Sequence, residues 1–310
     1  MPMDDARFEE LRQREFSRLD AQGHVYLDYT GAGLYSESQV RANAEFLCNG
    51  VFGNPHSRNP TSRAATLLCE DARTRVLEYF NADPDQYEVV FTLNASGALK
   101  LVGEAFPWEA GGRFLLTADN HNSVNGLREF AQAHGAEVAY VPPCPDMRLS
   151  GLREHLAQAD RGKHNLFAFP AQSNFSGVKH SLDAIQLAHD HGYHVLLDAA
   201  AFVPTNPLDL RRYLPDFVCI SFYKMFGFPT GVGVLLARRD ALNALHRPWF
   251  SGGTVRFVST QNQLHMQHVT GRAFEDGTLN YLGIAAVPAG LDFLEEIGID
   301  RINAHVMGLT

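Results

Sequence analysis

Lys224 stands in SFYKMFGFPTGVG, three residues past the apolar run DFVCIS. A lysine is ordinarily a solvated surface charge, but Phe222, Tyr223, Met225 and Phe226 flank this one. An amine desolvated by such neighbours loses basicity and becomes a nucleophile suited to forming a Schiff base. Asp198 closes another apolar run, YHVLLD. It reads either as a helix N-cap or turn residue, or as a buried carboxylate held rigidly at a cofactor. In the second role a carboxylate pairs with the protonated ring nitrogen of pyridoxal 5′-phosphate (PLP) and keeps that ring an electron sink.

TLNASGALK (92–100) is a small-residue turn entering a helix. Backbone N–H groups and a hydroxyl at a helix start form an anion site, so a phosphate fits at Ala95, Ser96 and Gly97. A plain cap by Asn94 or Ser96 is the simpler alternative. His121, in DNHNSVNG, can stack on an aromatic cofactor and shuttle a proton, or can merely cap a helix. His189, His191 and His194 in HDHGYH invite a metal reading. No supporting Cys or carboxylate spacing accompanies them, so a solvated helix end is preferred.

The elements that must position these groups alternate. A helix and a short strand, HVYLDY, open the chain. EVVFT (88–92), RFLLT (113–117), EVAYV (137–141), NLFAFP (165–170), YHVLLD (193–198), DFVCIS (216–221) and GVGVLLA (231–237) follow as strands. Helical stretches such as Ser123 to His134 and SLDAIQLAHDHG lie between most of them. Alternating helices and apolar strands predict an α/β fold with a mainly parallel sheet covered on both faces. Ligands bind such sheets at the carboxyl ends of the strands. Asn94–Ser96, His121, Asn174, Asp198, Ser221 and Lys224 all follow apolar runs and should converge on that edge.

The 310 residues are 45% hydrophobic and 20% charged, with a formal net charge of −9. That charge argues against general nucleic-acid or anionic-membrane binding. No apolar stretch is long enough for a membrane span, and the acidic start resembles no targeting peptide. Cys48, Cys69, Cys144 and Cys219 form no CxxC pair or disulfide framework. A cytoplasmic location is expected. No GxGxxG follows the first strands, which disfavours a dinucleotide-binding fold.

In their order, these residues resemble the class V aminotransferase superfamily of fold-type I PLP enzymes, which includes the cysteine desulfurases. The nearest likeness is to the N-terminal domain of the molybdenum cofactor sulfurases. YLDYTGAGLYSESQV, VFGNPHSRNPTS, DNHNSVNGLREFA, FPAQSNFSG, LLDAAAFVPTNPLDL, PDFVCISFYKMFGFPTGVGVLL, SGGTV and FEDGTLNYLGI carry it, across about Tyr26 to Ile284. The resemblance implies a seven-stranded, mostly parallel sheet between helices. It implies an N-terminal arm over 1–24 and a PLP-binding large domain over 25–280. Residues 281–310 would be a connecting helix and the start of a small C-terminal domain that is largely absent.

The resemblance also implies roles. Lys224 would link to PLP, Asp198 would pair with the ring nitrogen, and His121 would stack on the ring. Asn174 would bond the ring hydroxyl. Ser96, Ser221 and N–H groups near Ala95 would hold the phosphate. Thr254 would reach the phosphate of a neighbouring subunit in a homodimer, and His56 would lie near the substrate. Ala201 and Tyr223 stand where cysteine desulfurases usually have Gln and His, and Asn94 and Ala95 where Gly and Thr are common. The family's persulfide cysteine and carboxylate-binding arginine cannot be placed on this sequence. The four cysteines read as structural, with Cys144 in PPCPD the one loop candidate. The implied reaction is sulfur abstraction from L-cysteine, delivered to a sulfur acceptor. The alternatives are a PLP aminotransferase, lyase or epimerase without sulfur chemistry, and a truncated, catalytically silent PLP-binding homologue.

Overall fold

A computed structural model describes residues 3–310. Seven strands form one sheet: β1 (Tyr87–Thr92), β2 (Arg113–Thr117), β3 (Glu137–Val141), β4 (Asn165–Pro170), β5 (Tyr193–Asp198), β6 (Phe217–Ser221) and β7 (Gly233–Arg238). Their order is β1-β7-β6-β5-β4-β2-β3. β7 is antiparallel to both its neighbours, and the other strands all run one way.

Side chains alternate between two cores, one on each face of the sheet, because successive strand residues point to opposite sides. Val195 and Leu197 of β5, Val218 and Ile220 of β6 and Val234 and Leu236 of β7 face one core. Leu196, Phe217, Cys219, Leu235 and Ala237 face the other. Helices Pro60–Tyr79, Ala184–Asp190 and Val287–Ile297 cover the first face through Val76, Ile185 and Leu291. Helix Ala95–Ala105 covers the second through Leu99 and Val102. A strand buried on both faces needs apolar residues throughout, which is why these runs were continuous in the sequence.

Three local expectations change. HVYLDY is not a strand. Val25 and Leu27 are 83% and 84% exposed, and no neighbouring strand offers them a ladder. The stretch is tied down instead by the Tyr26 hydroxyl, which donates to the carbonyls of Asp28 and Ala32. The helix expected from Ser123 to His134 is two short ones, Asn122–Asn125 and Arg128–Ala133, separated at Gly126 and Leu127. A second, two-stranded antiparallel sheet of β8 (Val255–Ser259) and β9 (Leu264–Gln267) was not foreseen. Among the described residues no helix is long and apolar enough to cross a membrane.

Candidate active site

Because β1, β2, β4, β5 and β6 are parallel, their carboxyl ends share one edge, and a cleft opens there. Asn94, Ala95, Ser96, His121, Asn174, Asp198, Ser221 and Lys224 all line it. The residues expected at the strand ends therefore lie together in one cleft, while Thr254 and His56 lie outside it.

Asn94 caps helix Ala95–Ala105, its side chain accepting the Gly97 N–H at 2.9 Å. The helix thus aims its first-turn donors into the cleft. The Ala95 N–H is already taken, since it donates to Ser221 Oγ at 2.8 Å. That leaves the N–H groups beyond Ala95 as the ones open to a phosphate. Ser96 is exposed, and its hydroxyl pairs with that of Ser123 at 2.6 Å. Gly233 is the cradle beneath this turn. A Cβ there would come within 2.5 Å of Asn94 Cα and 2.7 Å of the Ile220 carbonyl.

Asp198 is buried at the end of β5, and one oxygen accepts the Ala200 N–H at 3.0 Å. The other oxygen has no hydrogen-bond partner among the described residues. Burial pushes the Asp198 carboxyl up, while the Ala200 N–H and the charges of His121 and Lys224 work against that shift. A buried carboxylate short of a positive partner fits a protonated ring nitrogen.

Lys224 lies on the one-and-a-half-turn helix Phe222–Phe226 after β6, and among the described residues its amine has no hydrogen bond or ion pair. Phe222, Met225 and Phe226 turn into the core, while Tyr223 and Lys224 stay half-buried on the cleft side. The helix therefore points Phe222 and Phe226 away from the amine and leaves Tyr223 beside it in the cleft. The His121 ring is oriented by its Nδ1, which accepts the Ser123 N–H at 3.1 Å. Asn174 is exposed on the turn after β4, its amide free of partners among the described residues. An unpaired amine, a carboxylate lacking a cation, a free amide and a helix start match the functional groups of PLP one for one.

A profile of the class V aminotransferase family matches residues 25–310. The chain belongs to the class V aminotransferase family. That membership bears out the fold and the PLP cofactor expected from the sequence. The chain is 39% identical to a molybdenum cofactor sulfurase of Arabidopsis thaliana over 97% of its length and 41% of that protein. It is 40% identical to the Homo sapiens molybdenum cofactor sulfurase, over 97% of this chain and 36% of that one. The chain thus spans well under half the length of these curated relatives. An apo cysteine desulfurase from Thermococcus onnurineus NA1 superposes with a TM-score of 0.84 at 25% identity, covering 96% of this chain and 72% of that one. The Escherichia coli cysteine desulfurase CsdA gives 0.80 at 24% identity, over 94% and 73%.

Two family-implied residues lie elsewhere in the chain. Thr254 is fully buried, its hydroxyl donating to the Ser251 carbonyl at 2.9 Å and accepting the Ser251 N–H at 2.9 Å. His56 is exposed, with Nε2 3.1 Å from the Gly277 carbonyl, and lines a separate pocket with Cys69, Arg73 and His268. Cys69 and Cys219 are buried, and burial pushes the Cys69 thiol up to about 11. Cys48 is exposed rather than packed, and Cys144 is half-buried outside the cleft.

Sequence reasoning missed two polar clusters. His189 and His194 do have a carboxylate, Asp216, at 2.8 and 3.3 Å. Asp216 also accepts the Val195 N–H at 2.7 Å, so it is a hydrogen-bonded bracket between β5 and β6. The described residues contain no metal-binding cluster. The second cluster is the buried pair Asp119 and His180, 2.8 Å apart, with Asp119 two residues before His121. Both partners were too far away in sequence for any local pattern to reveal them.

Proposed function

We propose that this chain is the catalytic PLP-binding unit of a cysteine desulfurase-like enzyme that removes sulfur from L-cysteine and passes it to an acceptor thiol. The observation that carries this reading is the pairing of an unpartnered Lys224 amine with the cation-deficient, buried Asp198 across one cleft. The family membership and the named relatives support the sulfur chemistry. When bound, PLP supplies an electron sink for charge developing at the substrate α-carbon.

The protein's own groups do the rest. Lys224 Nζ would hold the cofactor covalently and, once displaced by the substrate amine, is the base placed to move the α-proton. Asp198 would keep a proton on the ring nitrogen. Asn174 would orient the ring through its hydroxyl, and the Ser96 turn with Ser221 would hold the phosphate. His121 Nε2 carries the ring proton when Nδ1 accepts from Ser123, so it presents a donor rather than an acceptor beyond that bond.

A homodimer is part of the same proposal. Phe257, Leu264 and Met266 of the β8–β9 hairpin are 57%, 61% and 56% exposed, and Phe175 at the cleft is 83% exposed. Exposed apolar side chains gathered on one hairpin mark a candidate partner-binding surface. The SGGT turn that carries Thr254 leads directly into this hairpin, which would bring it to a second subunit's phosphate site.

The test is borohydride reduction of the yellow protein. Reduction should bleach the visible band and leave pyridoxyl label on the peptide bearing Lys224. Lys224→Ala should stay folded and take no label. A chain that takes up no added PLP ends this reading.

A further inference from the structure

His121 and Asn174 enter the cleft from loops after two adjacent parallel strands, β2 and β4, yet nothing joins their side chains. Among the described residues, the His121 side chain is bonded only within its own loop and the Asn174 amide has no partner. What joins the two loops is Asp119. Its carboxylate Oδ2 is 2.8 Å from His180 Nε2, and both side chains are at most 3% exposed. Its main-chain carbonyl accepts the Ser173 hydroxyl at 3.1 Å. The same Ser173 oxygen accepts the N–H groups of Phe175 and Ser176, both at 3.3 Å, which closes the turn that bears Asn174. Asp119 lies two residues before His121, and Ser173 one before Asn174.

Asp119 Oδ1 is buried without a partner. Burial works against the Asp119 carboxylate, but the hydrogen bond from His180, helped by the nearby Thr117 hydroxyl, outweighs it and holds the carboxyl below its ordinary range. A buried pair with an unsatisfied oxygen is poor evidence of stabilisation. Its consequence is geometric: two rigid, directional bonds fix one loop against the other.

We propose that Asp119 and His180 are a positioning pair that sets the separation of His121 and Asn174 across the cofactor cleft. The proposal rests on the reading that this cleft binds PLP. A ring gripped between a stacking imidazole and an amide on its hydroxyl reports their spacing in its visible absorption and circular dichroism. The pair should therefore change the bound cofactor's spectrum, which a purely structural contact elsewhere would not.

The experiment titrates the 310-residue chain and three variants with PLP, following visible circular dichroism and affinity, with far-ultraviolet circular dichroism as the folding control. His180→Leu removes the donor and should weaken PLP binding roughly tenfold, the low end for losing a partner that orients a ligand-facing group. It should also shift or flatten the visible dichroic band. His180→Gln keeps an N–H at the Nε2 position and should recover affinity to within about threefold. Ser173→Ala removes the second tie together with the Phe175 and Ser176 contacts that close its turn, leaves the Asp119–His180 bond in place, and should move the band in the same direction by less. If His180→Leu does not fold, Ser173→Ala decides. A wild-type spectrum and affinity in folded His180→Leu, or in Ser173→Ala when the former is unfolded, overturns the pair. Equal loss in His180→Gln and His180→Leu overturns it too. Wild-type protein that takes up no PLP overturns the functional reading itself, a result distinct from either.

Discussion

The Ala95 N–H donates to Ser221 Oγ at 2.8 Å, joining the first residue of the helix after β1 to the last residue of β6 across the intervening β7. One hydroxyl thereby fixes the helix start against the strand that delivers Lys224. Ser221→Ala removes this tie while leaving the Asn94 cap. PLP affinity should fall roughly tenfold, with little change in the melting temperature, because the loss falls on ligand orientation more than on the core. Equilibrium titration followed at the visible band measures it. An unchanged affinity would show that the helix start is held by the Asn94 cap alone.

Asp198 presents a trade between stability and function. Its carboxyl is pushed up by burial, so in the cofactor-free chain the ionised form opposes folding. A folded-state acid weaker than its unfolded counterpart costs stability as the pH rises through the ordinary value of 3.8. Asp198→Asn should therefore leave the apo protein at least as stable at pH 7 by thermal melting. It should still label at Lys224 on reduction, yet exchange the substrate α-proton about 100-fold more slowly, the scale of losing one preorganised electrostatic partner. Exchange at the wild-type rate would remove Asp198 from the ring nitrogen.

Asp216 makes stability depend on pH at the opposite edge of the sheet. Hydrogen bonds from His189 and His194 overcome its burial and hold the carboxyl well below its usual range. That contribution is present above the ordinary aspartate value of 3.8 and is lost as the pH falls towards the folded value. His194 is raised above its ordinary 6.5, chiefly by its hydrogen bond to Asp216 and then by that charge. Its contribution is complete below 6.5 and fades as the pH rises through the higher folded value. The bracket is therefore strongest in mildly acid solution, between those limits. Asp216→Asn should cost about 2 kcal/mol there and flatten the stability profile above pH 6.5. Denaturant melts at pH 5.5 and 8 measure both, and parallel profiles for the two proteins would exclude the bracket.

The β8–β9 hairpin tests the proposed dimer. Phe257→Asp with Met266→Asp should convert a sedimenting dimer to a monomer that remains folded, since both side chains are solvent-exposed in the single chain. PLP affinity should fall with dissociation if Thr254 completes the phosphate site of a second subunit. A wild-type chain that sediments as a monomer and binds PLP tightly would contradict this assembly.

The sequence alone determined the sheet and its working edge. A strand buried on both faces must be apolar, so central strands such as β2, β4 and β6 were legible as apolar runs, and the polar residues at the strand ends had to share one edge once the strands were parallel. Lys224, Asp198, His121, Asn174 and Ser96 were found that way. Tertiary structure decided what local pattern cannot encode. HVYLDY has strand residues but no neighbour to pair with, and strand formation needs both. Phe222 and Phe226 flank Lys224 in sequence, yet one helical turn sends them into the core and leaves the amine on the cleft side. The Asp119–His180 pair spans 61 residues, and Asp216 meets histidines 22 and 27 residues away. Hydrogen bonds of that span exist only because the sheet first brings its strands side by side, so their partners are set by topology rather than by sequence spacing.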